Sequence, residues 1–453
     1  MSPAEKTNKY TELSQKYGDP WIWGIYIMLL IISIIESYSA SSREIAAQGI
    51  YMPIIKQCVF LGIGAAFVVL LQRVDYNKPR FLYLMIPGLA VVTVMSLLYV
   101  MFFGEIINGA RRAMTLVPGL ITLQPAELAK LSIVTILSYI FAKSQKNQDI
   151  SNKGLVAAAL AVGIYGGLMI RSGLTNTLLL IAISGSMLLI GGARLKKIGI
   201  LMLFFGVMVG CFYIIKSNND QKEETFKATQ QEMQIVVNEG AQGDAAVTSE
   251  GTSAVARSGT WRSRINEWLH RDSLVYWPIT PKNQQEMFSR MAQAHGGLVG
   301  VGVGKSRECS RLPLAFSDYI YSIIVEELGF AGGIFVLLLY LSLLGRAAMI
   351  VRRSKRVLPS LLVIGMASFI TFQALFHMAI NVGVFPVSGQ PLPLISKGGT
   401  SIFVISIAFG VMLSVSRTIA NYGNKKNKAE ETPIIEGLDA ENPTEIPVKN
   451  VWK

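Results

Sequence analysis

Charged and polar side chains concentrate in three stretches that each adjoin a long apolar segment. The first, residues 108–130, is "NGARRAMTLVPGLITLQPAELAK"; the second, residues 316–330, is "FSDYIYSIIVEELGF"; the third, residues 385–401, is "FPVSGQPLPLISKGGTS". A carboxylate at the depth of a bilayer is costly unless it is paired or faces water, so acids beside an apolar segment indicate a functional site. The second stretch carries three such acids, Asp318, Glu326 and Glu327.

The elements that must position these residues are membrane helices, because apolar runs long enough to cross about 30 Å of hydrocarbon recur along the chain. We predict an all-α polytopic membrane protein with ten transmembrane helices, at residues 21–41, 57–72, 81–103, 127–143, 154–170, 174–193, 197–215, 318–345, 358–384 and 400–420. Lys and Arg concentrate in alternate connecting segments, which predicts that both termini are cytoplasmic and that all three stretches lie at the outer face. The net charge of +13 then faces anionic lipid, not nucleic acid.

The predicted organisation is a cytoplasmic N-terminal tail (1–20), a membrane domain (21–420) and a disordered cytoplasmic tail (421–453). A large extracytoplasmic loop, residues 216–317, lies between spans seven and eight. Its polar part, residues 220–257, has too few apolar residues to order itself, so we expect it to be mobile or ordered by a partner. Its later part is amphipathic and glycine-rich, and the glycines permit tight backbone near the membrane surface: Gly296, Gly297, Gly300, Gly302 and Gly304.

The cysteines and histidines give no sign of a disulfide framework or of a histidine-built metal site. Two of the three cysteines, Cys58 and Cys211, lie within or at the edge of predicted spans, and only Cys309 lies in the outer loop. The three histidines are widely separated.

The three stretches, together with "GGLVGVGVGKS" at residues 296–306, resemble the signature segments of the SEDS family, and within it the FtsW branch more than the RodA branch. The resemblance implies a peptidoglycan glycosyltransferase that polymerises lipid II at the outer face of the cytoplasmic (inner) membrane during cell division. It implies lipid II, a class B penicillin-binding protein transpeptidase (FtsI-like) and other divisome proteins as partners. A divalent cation, Mg²⁺ or Mn²⁺, is plausible beside the pyrophosphate.

That reaction needs a base for the attacking sugar hydroxyl and cations for the departing pyrophosphate. The resemblance assigns the base to Asp318 and the phosphate side to Arg112 and Lys130. The remaining substrate contacts that it suggests are Gln124, Glu127, Ser396 and Lys397. Structural roles fall to Glu326, Glu327, Gly398 and Gly399, and no nucleophilic side chain is required because inversion can occur in one displacement.

Simpler explanations exist for several of these residues. Asp318 or Ser317 could serve as a helix N-cap, and Lys130 could extend its amine from the helix end to water. Arg111 and Arg112 could be ordinary lipid headgroup contacts. For the whole chain, the alternatives are a lipid II flippase, a RodA-type polymerase of cell elongation, or a divisome scaffold without chemistry.

The chain also departs from the family pattern. Ala113 stands where many members have Trp after the arginine, and Phe316 and Ser317 stand where many have His-Thr before the acid. Gly173 lies where an acid is usual, so no role of that acid can be transferred.

Overall fold

Helices account for most of the chain that the structure describes. The structure is a computed structural model that describes residues 3–40, 51–74, 79–107, 110–117, 121–146, 149–170, 173–203, 205–208, 210, 268–269, 279, 283–312, 315–354 and 356–431. The chain divides into two compact units, Met1–Ile198 with Ile279–Lys453, and Gly199–Pro278. The described residues of the smaller unit are helical. The predicted mobile stretch 220–257 lies outside the described residues.

In the larger unit the helices are α1 (Pro3–Tyr17), α2 (Pro20–Ser39), α3 (Tyr51–Leu71), α4 (Pro79–Phe103), α5 (Pro125–Ser144), α6 (Asn152–Met169), α7 (Leu174–Ile190), α8 (Gln284–Gly296), α9 (Ile320–Arg353), α10 (Val357–Asn381) and α11 (Gly399–Glu431). The strands are β1 (Glu105–Ile107), β2 (Ala110–Val117), β3 (Ile121–Leu123), β4 (Gln145–Lys146) and β5 (Asp149–Ile150).

The prediction of a polytopic helical membrane protein is confirmed, but the count of ten spans is not. Among the described residues, eight helices are long and apolar enough to cross a membrane, namely α2 to α6 and α9 to α11. Helix α7 is apolar but has 17 residues. Of the predicted seventh span, residues 197–203, 205–208 and 210 are helical, and residues 211–215 lie outside the described part.

Both predicted tails contain helix. The N-terminal segment forms α1, which packs against α11. Helix α11 continues to Glu431, well into the segment that was predicted to be disordered. Residues 432–453, the rest of that segment, lie outside the described residues.

The fold is not helical throughout, because the segment between α4 and α5 forms a small antiparallel sheet with the strand order β1-β2-β3. Strand β2 carries Arg111 and Arg112, and its register pairs Arg111 with Ile106 of β1 and Met114 with Leu123 of β3. Helix α5 begins directly after β3. The sheet therefore connects the arginine pair to the helix that carries Glu127 and Lys130.

Helices α5, α10 and α11 form the centre of the bundle, and small residues bring their neighbours close. A Cβ atom added at Gly64 of α3 would lie 2.6 Å from Ser406 Oγ of α11, and one at Gly410 would lie 2.8 Å from Leu71 Cβ. Membrane helices associate through such close packing, since lipid tails compete for apolar surface.

Polar contacts mark the two ends of the bundle. At one end, the Asp19 end, Arg346 of α9 binds Asp19 at the start of α2, and Asn421 of α11 donates to the Gln15 carbonyl at 3.3 Å. At the other, the Asp318 end, Ser39 at the close of α2 donates to Glu327 of α9. Gln15, near the N-terminus, and Asn421, near the end of α11, therefore lie at the same end of the bundle, as the prediction of two termini on one side of the membrane requires.

Helix α9 is interrupted at Gly329, and the glycine-rich segment fills the interruption. Gly329 has φ 73° and ψ −177°. The carbonyls of Glu326 and Glu327 accept the amides of Val301 and Gly302 at 3.0 and 2.9 Å, and the amides of residues 330 and 331 donate to the carbonyls of residues 297 and 298 at 2.9 and 3.3 Å. Backbone groups that the helix leaves unpaired are therefore satisfied by a second segment.

The expectation of tight backbone at these glycines is confirmed. Gly297, Gly300, Gly302 and Gly304 have positive φ angles, the left-handed conformation that side chains disfavour. A Cβ atom at Gly296 would lie 2.0 Å from the Val325 carbonyl oxygen. Gly296 and Gly300 pack backbone against the interrupted helix, whereas a Cβ atom at Gly297, Gly302 or Gly304 would meet nothing closer than 3.5 Å, so at these three positions the φ angle alone favours glycine.

Candidate functional site

Asp318 lies in the turn that precedes α9. The helix begins at Ile320, and its N-cap is Tyr319, which makes no side-chain capping bond. The expectation that Ser317 or Asp318 serves as the N-cap is therefore wrong, and the helix starts two residues later than the predicted span. The Asp318 side chain is half-buried, and Ser317 Oγ donates to its Oδ1 at 2.9 Å. The carboxylate lies beside the positive end of the α9 dipole.

Three consecutive backbone carbonyls hold this turn in place. The carbonyls of residues 316, 317 and 318 accept hydrogen bonds from the Lys397 amide, the Ser396 hydroxyl and the Asn381 side-chain amide, at 3.0, 2.8 and 3.1 Å respectively. Two of the donors belong to the third stretch and one to the end of α10. The structure thus brings the second and third stretches together and fixes the backbone on which Asp318 is mounted.

The other contacts of the third stretch give it a defined shape. Ser396 Oγ also accepts the Leu392 amide at 2.7 Å, and Lys397 Nζ lies 5.1 Å from the centroid of the Phe316 ring. A Cβ atom at Gly399 would lie 3.0 Å from the Phe60 ring of α3, whereas one at Gly398 would meet nothing closer than 3.9 Å. Close packing therefore accounts for the glycine at 399 and not for the one at 398.

Lys130 and Glu127 form a buried ion pair inside the bundle. Lys130 Nζ lies 2.7 Å from Glu127 Oε1 and 2.8 Å from Gln373 Oε1 of α10, and the lysine side chain is fully buried. The suggestion that Lys130 extends its amine to water is wrong, because both of these partners are buried within the protein. Its role as a phosphate ligand stays a prediction, and in this structure the ammonium group has no exposed face.

The first stretch reaches the site through β3. Thr400, in the first turn of α11, donates its hydroxyl hydrogen to the Thr122 carbonyl of β3. Gln124 is the N-cap of α5 and is exposed, without a side-chain capping bond. Arg112 lies in β2, and its contact with substrate stays a prediction. All three stretches therefore meet at the Asp318 end of the bundle.

A polar stripe on α10, formed by Gln373, His377 and Asn381, was missed by sequence reasoning. Its members are four residues apart and share one helix face. Gln373 Nε2 donates to the Pro391 carbonyl at 3.3 Å, and His377 Nδ1 lies 2.6 Å from the Gln390 carbonyl oxygen. The signal was available, because polar residues at this spacing in an apolar span indicate an inward-facing functional face.

The stripe gives the site depth. Gln373, which binds Lys130, and Asn381, which binds Asp318, are eight residues apart, or about 12 Å along the helix axis. The ion pair of Lys130 and Glu127 thus lies about two turns further into the bundle than Asp318. Asp318 thus lies at the end of the bundle, and the ion pair lies at the deepest part of the site.

Glu326 and Glu327 bind the glycine-rich loop and the end of α2. Glu326 Oε1 accepts the Arg307 amide at 3.0 Å, and Ser306 donates its hydroxyl hydrogen to the other carboxylate oxygen. Ser39 donates to Glu327. Among the described side chains neither acid pairs with Lys or Arg. Glu326 Oε1 lies 3.7 Å from His295 Nδ1, and hydroxyl and backbone donors supply the other contacts. These contacts are those that a structural role requires.

A further acid, Glu36 of α2, was also missed. It is fully buried and interacts electrostatically with Glu327, and neither of its carboxylate oxygens has a hydrogen-bond partner among the described residues. An acid within an apolar span was a sufficient signal for it. The described residues contain no group of three or more His, Cys, Asp or Glu side chains that could hold a metal ion.

These features define a class: a helical membrane protein in which one half-buried acid is fixed at one end of the bundle by a Pro- and Gly-rich segment. The chain belongs to the FtsW/RodA/SpoVE family of cell cycle proteins, whose family description matches residues 20–421. The resemblance to SEDS proteins that the three stretches indicated is thereby confirmed.

Relatives of known name are similar over most of their length. Stage V sporulation protein E of Bacillus subtilis is 27% identical over 400 residues, 87% of this chain and 95% of the relative. The probable peptidoglycan glycosyltransferase FtsW of Coxiella burnetii is 25% identical over 424 residues, 91% of this chain and 100% of the relative. That of Burkholderia thailandensis is 28% identical over 409 residues, 87% of this chain and 77% of the relative.

Solved structures show the same fold. The rod shape determining protein RodA of Thermus thermophilus superposes with a TM-score of 0.57 at 20% identity, covering 88% of this chain and 97% of RodA. A chain of a peptidoglycan synthase complex that coordinates polymerization and crosslinking gives a TM-score of 0.59 at 22% identity, covering 88% of this chain and 98% of that chain.

Proposed function

We propose that this protein is a peptidoglycan glycosyltransferase of the FtsW type, which polymerises lipid II at the outer face of the cytoplasmic membrane during cell division. Family membership and the names of the curated relatives support the enzyme class. The observation that carries the proposal is the turn at residues 316–318, whose three carbonyls are each held by a separate donor while the Asp318 side chain stays half-exposed. Such an arrangement preorganises a carboxylate for proton transfer.

In the proposed reaction the 4-hydroxyl oxygen of one sugar forms a bond to the anomeric carbon of another. The bond from that carbon to the lipid pyrophosphate breaks, and the pyrophosphate leaves with the electron pair. The hydroxyl proton passes to the Asp318 carboxylate. Configuration inverts in this single displacement, so no covalent enzyme intermediate is needed.

The phosphate side was predicted to be Arg112 and Lys130. We assign it to Arg112 and Lys397, because Lys130 is fully buried against Glu127 and Gln373. Arg112 is carried by the sheet that leads into α5, and Lys397 adjoins the turn that holds Asp318. Lys130 would reach a phosphate only by leaving Glu127 and Gln373. Gln124, Glu127 and Ser396 are the remaining proposed substrate contacts. Glu127 is buried in its ion pair with Lys130, and Ser396 also holds the turn.

A divalent cation, Mg²⁺ or Mn²⁺, would be bound through the oxygens of the pyrophosphate. We further propose that a class B penicillin-binding protein supplies transpeptidation at the division septum, together with other divisome proteins. The fold shared with a chain of a solved peptidoglycan synthase complex supports a partner of this kind.

The test is polymerisation of lipid II by the purified protein, with and without its transpeptidase partner, followed by glycan chain separation. Asp318→Asn keeps the size of the side chain and one acceptor oxygen but removes its basicity. We expect polymerisation to fall by about 10²-fold or more, the usual loss for a general base. Lipid II binding should persist, since the phosphates are assigned to other residues.

Asp149→Asn is the matched control, because Asp149 binds Lys197 in a different part of the chain and should leave the rate unchanged. If Asp318→Asn polymerised lipid II at the parent rate, Asp318 would not be the base. A lipid II flippase or a scaffold would then be the better assignment.

A further inference from the structure

Asn381, the last residue of α10, bonds to both sides of the junction between Asp318 and α9. Its Nδ2 donates to the Asp318 carbonyl oxygen at 3.1 Å. Its Oδ1 accepts the Ser322 amide at 3.3 Å and the Ser322 hydroxyl at 2.8 Å. The side chain is buried, so water does not compete for these bonds.

The Asn381 amide supplies the side-chain contact to the first turn of α9 that the N-cap residue Tyr319 does not make. The first amides of a helix have no intrahelical acceptor, and a side chain at the N-cap normally satisfies one of them. Tyr319 occupies the N-cap and cannot do so, while Ser322 is the third residue of the helix. The Ser322 amide donates to the Tyr319 carbonyl at 3.0 Å, and Asn381 Oδ1 gives it a second acceptor from another helix, through the same side-chain amide group that holds Asp318.

The backbone of Asn381 is itself anchored by α8. Gln293 Nε2 donates to the Asn381 carbonyl oxygen at 2.8 Å, and Ser289 Oγ donates to it at 3.3 Å. Helices α8, α9 and α10 thus meet at one residue. Any movement of Asn381 relative to α9 would displace the Asp318 backbone directly.

We propose that Asn381 is a positioning residue for the reaction, one that sets the placement of the Asp318 carboxylate through the Asp318 carbonyl. The proposal rests on the proposed function, in which Asp318 is the base. An amide is required at this position because one of its atoms must donate and the other must accept. Aspartate offers only acceptors and alanine offers neither.

Asn381→Asp is the most informative substitution. It keeps the acceptor for Ser322 and the size of the side chain, but it loses the donor to the Asp318 carbonyl and adds a carboxylate nearby. Because a small misplacement of a reacting group can cost about 10²-fold, we expect kcat to fall by about 10- to 100-fold. KM for lipid II should change little, since the residue touches no assigned substrate contact.

The pH profile of polymerisation provides a readout that a purely structural role would not move. A carboxylate beside Asp318 disfavours its ionised form, so the acidic limb of the profile should shift to higher pH in Asn381→Asp. Ser342→Ala is the control, because Ser342 lies on an exposed part of the same helix, well beyond Ser322, where its hydroxyl donates to the Leu339 carbonyl at 2.8 Å. Its kcat and its acidic limb should match those of the parent protein.

The outcomes separate the two proposals. If Asp318→Asn is inactive while Asn381→Asp has the parent kcat and acidic limb after correction for the folded fraction, the positioning role is wrong and the proposed base stands. If Asp318→Asn is fully active, the proposed function fails first. If Asn381→Asp does not fold, Gln293→Met tests the positioning role instead. Loss of the hydrogen bond from Gln293 to the Asn381 carbonyl should lower kcat by a smaller factor without changing KM. An unchanged kcat would contradict the proposal.

Discussion

Gly329 offers a sharp test of the interrupted helix, because alanine cannot adopt its conformation without displacing backbone. A Cβ atom there would lie 2.4 Å from the Leu298 carbonyl oxygen and 2.5 Å from the Gly300 amide nitrogen. The φ and ψ angles of 73° and −177° belong to a region that only glycine occupies readily. Neither neighbour is the end of a flexible side chain, so the two segments must separate or the helix must straighten.

The expected cost has two parts. Forcing a residue with a side chain into this conformation costs about 1–3 kcal/mol. Separation of the segments would also weaken the four backbone hydrogen bonds between residues 297–302 and 326–331, each contributing a net of about 0.5–1.5 kcal/mol. If about half of those bonds are lost, Gly329→Ala should destabilise the protein by about 2–6 kcal/mol.

The assay is thermal inactivation of the detergent-solubilised protein, with variants compared at one heating rate because unfolding of such proteins is commonly irreversible. Gly345→Ala in the same helix is the matched control, since a Cβ atom there meets nothing within 4 Å. Alanine should leave that variant as stable as the parent or raise its stability by up to about 1 kcal/mol. Equal inactivation temperatures for the two variants would show that the glycine-rich segment does not pair with the interrupted helix.

Two further predictions concern the ion pair and the topology. Lys130→Met should lower the stability of the protein by about 3–5 kcal/mol, because it leaves Glu127 charged and buried without a partner. Combining it with Glu127→Gln should restore most of this stability in the same thermal assay. A double variant no more stable than the single one would contradict the pairing. Reporters fused after Lys153 or Arg353 should report cytoplasm and one inserted near Gly243 should report the outside, and an external signal at Arg353 would reverse the orientation and the site with it.

Much of the fold could be predicted because lipid imposes a simple length and polarity requirement on each helix. The three polar stretches could be assigned to one end for the same reason, and the structure brings them together. Ser396 and Lys397 were suggested as substrate contacts by the family resemblance, and both donate to carbonyls of the turn that carries Asp318. Their contact with substrate stays a prediction. The helices and their orientation needed only hydropathy and the distribution of Lys and Arg, whereas Ser396 and Lys397 were singled out by the family resemblance.

What escaped prediction depends on contacts between distant segments. The partner of Lys130 on its own helix, Glu127, is three residues away, yet the burial of both depends on how α10 packs against α5. The pairing of the glycine-rich segment with α9 could not be foreseen, since no local pattern specifies which helix leaves its carbonyls unpaired. Asn381 could be predicted only in part. The sequence shows a polar residue in an apolar span, but its contact with the Asp318 carbonyl arises from tertiary structure.

The distance to which charged side chains extend along α5 from its start helps to decide between an enzyme and a flippase. Lys130 lies five residues into α5, or about 8 Å from its start. Further along the same helix, the hydroxyls of Thr135 and Ser138 donate to carbonyls of α5 itself, at 2.9 and 2.7 Å. Such bonds use the hydroxyl donors locally, so these two residues keep no donor for a passing phosphate headgroup.

A flippase must offer polar groups to the lipid headgroup through the full thickness of the membrane. In the part of α5 that the structure describes, the charged groups lie at Glu127 and Lys130 and then only at Lys143, near the opposite end of the helix. The Asp19 end has its own ion pair with Arg346, on the far side of an apolar interior. The charges thus form a site about two turns deep at the Asp318 end, which suits a reaction at one membrane face and not passage across the bilayer.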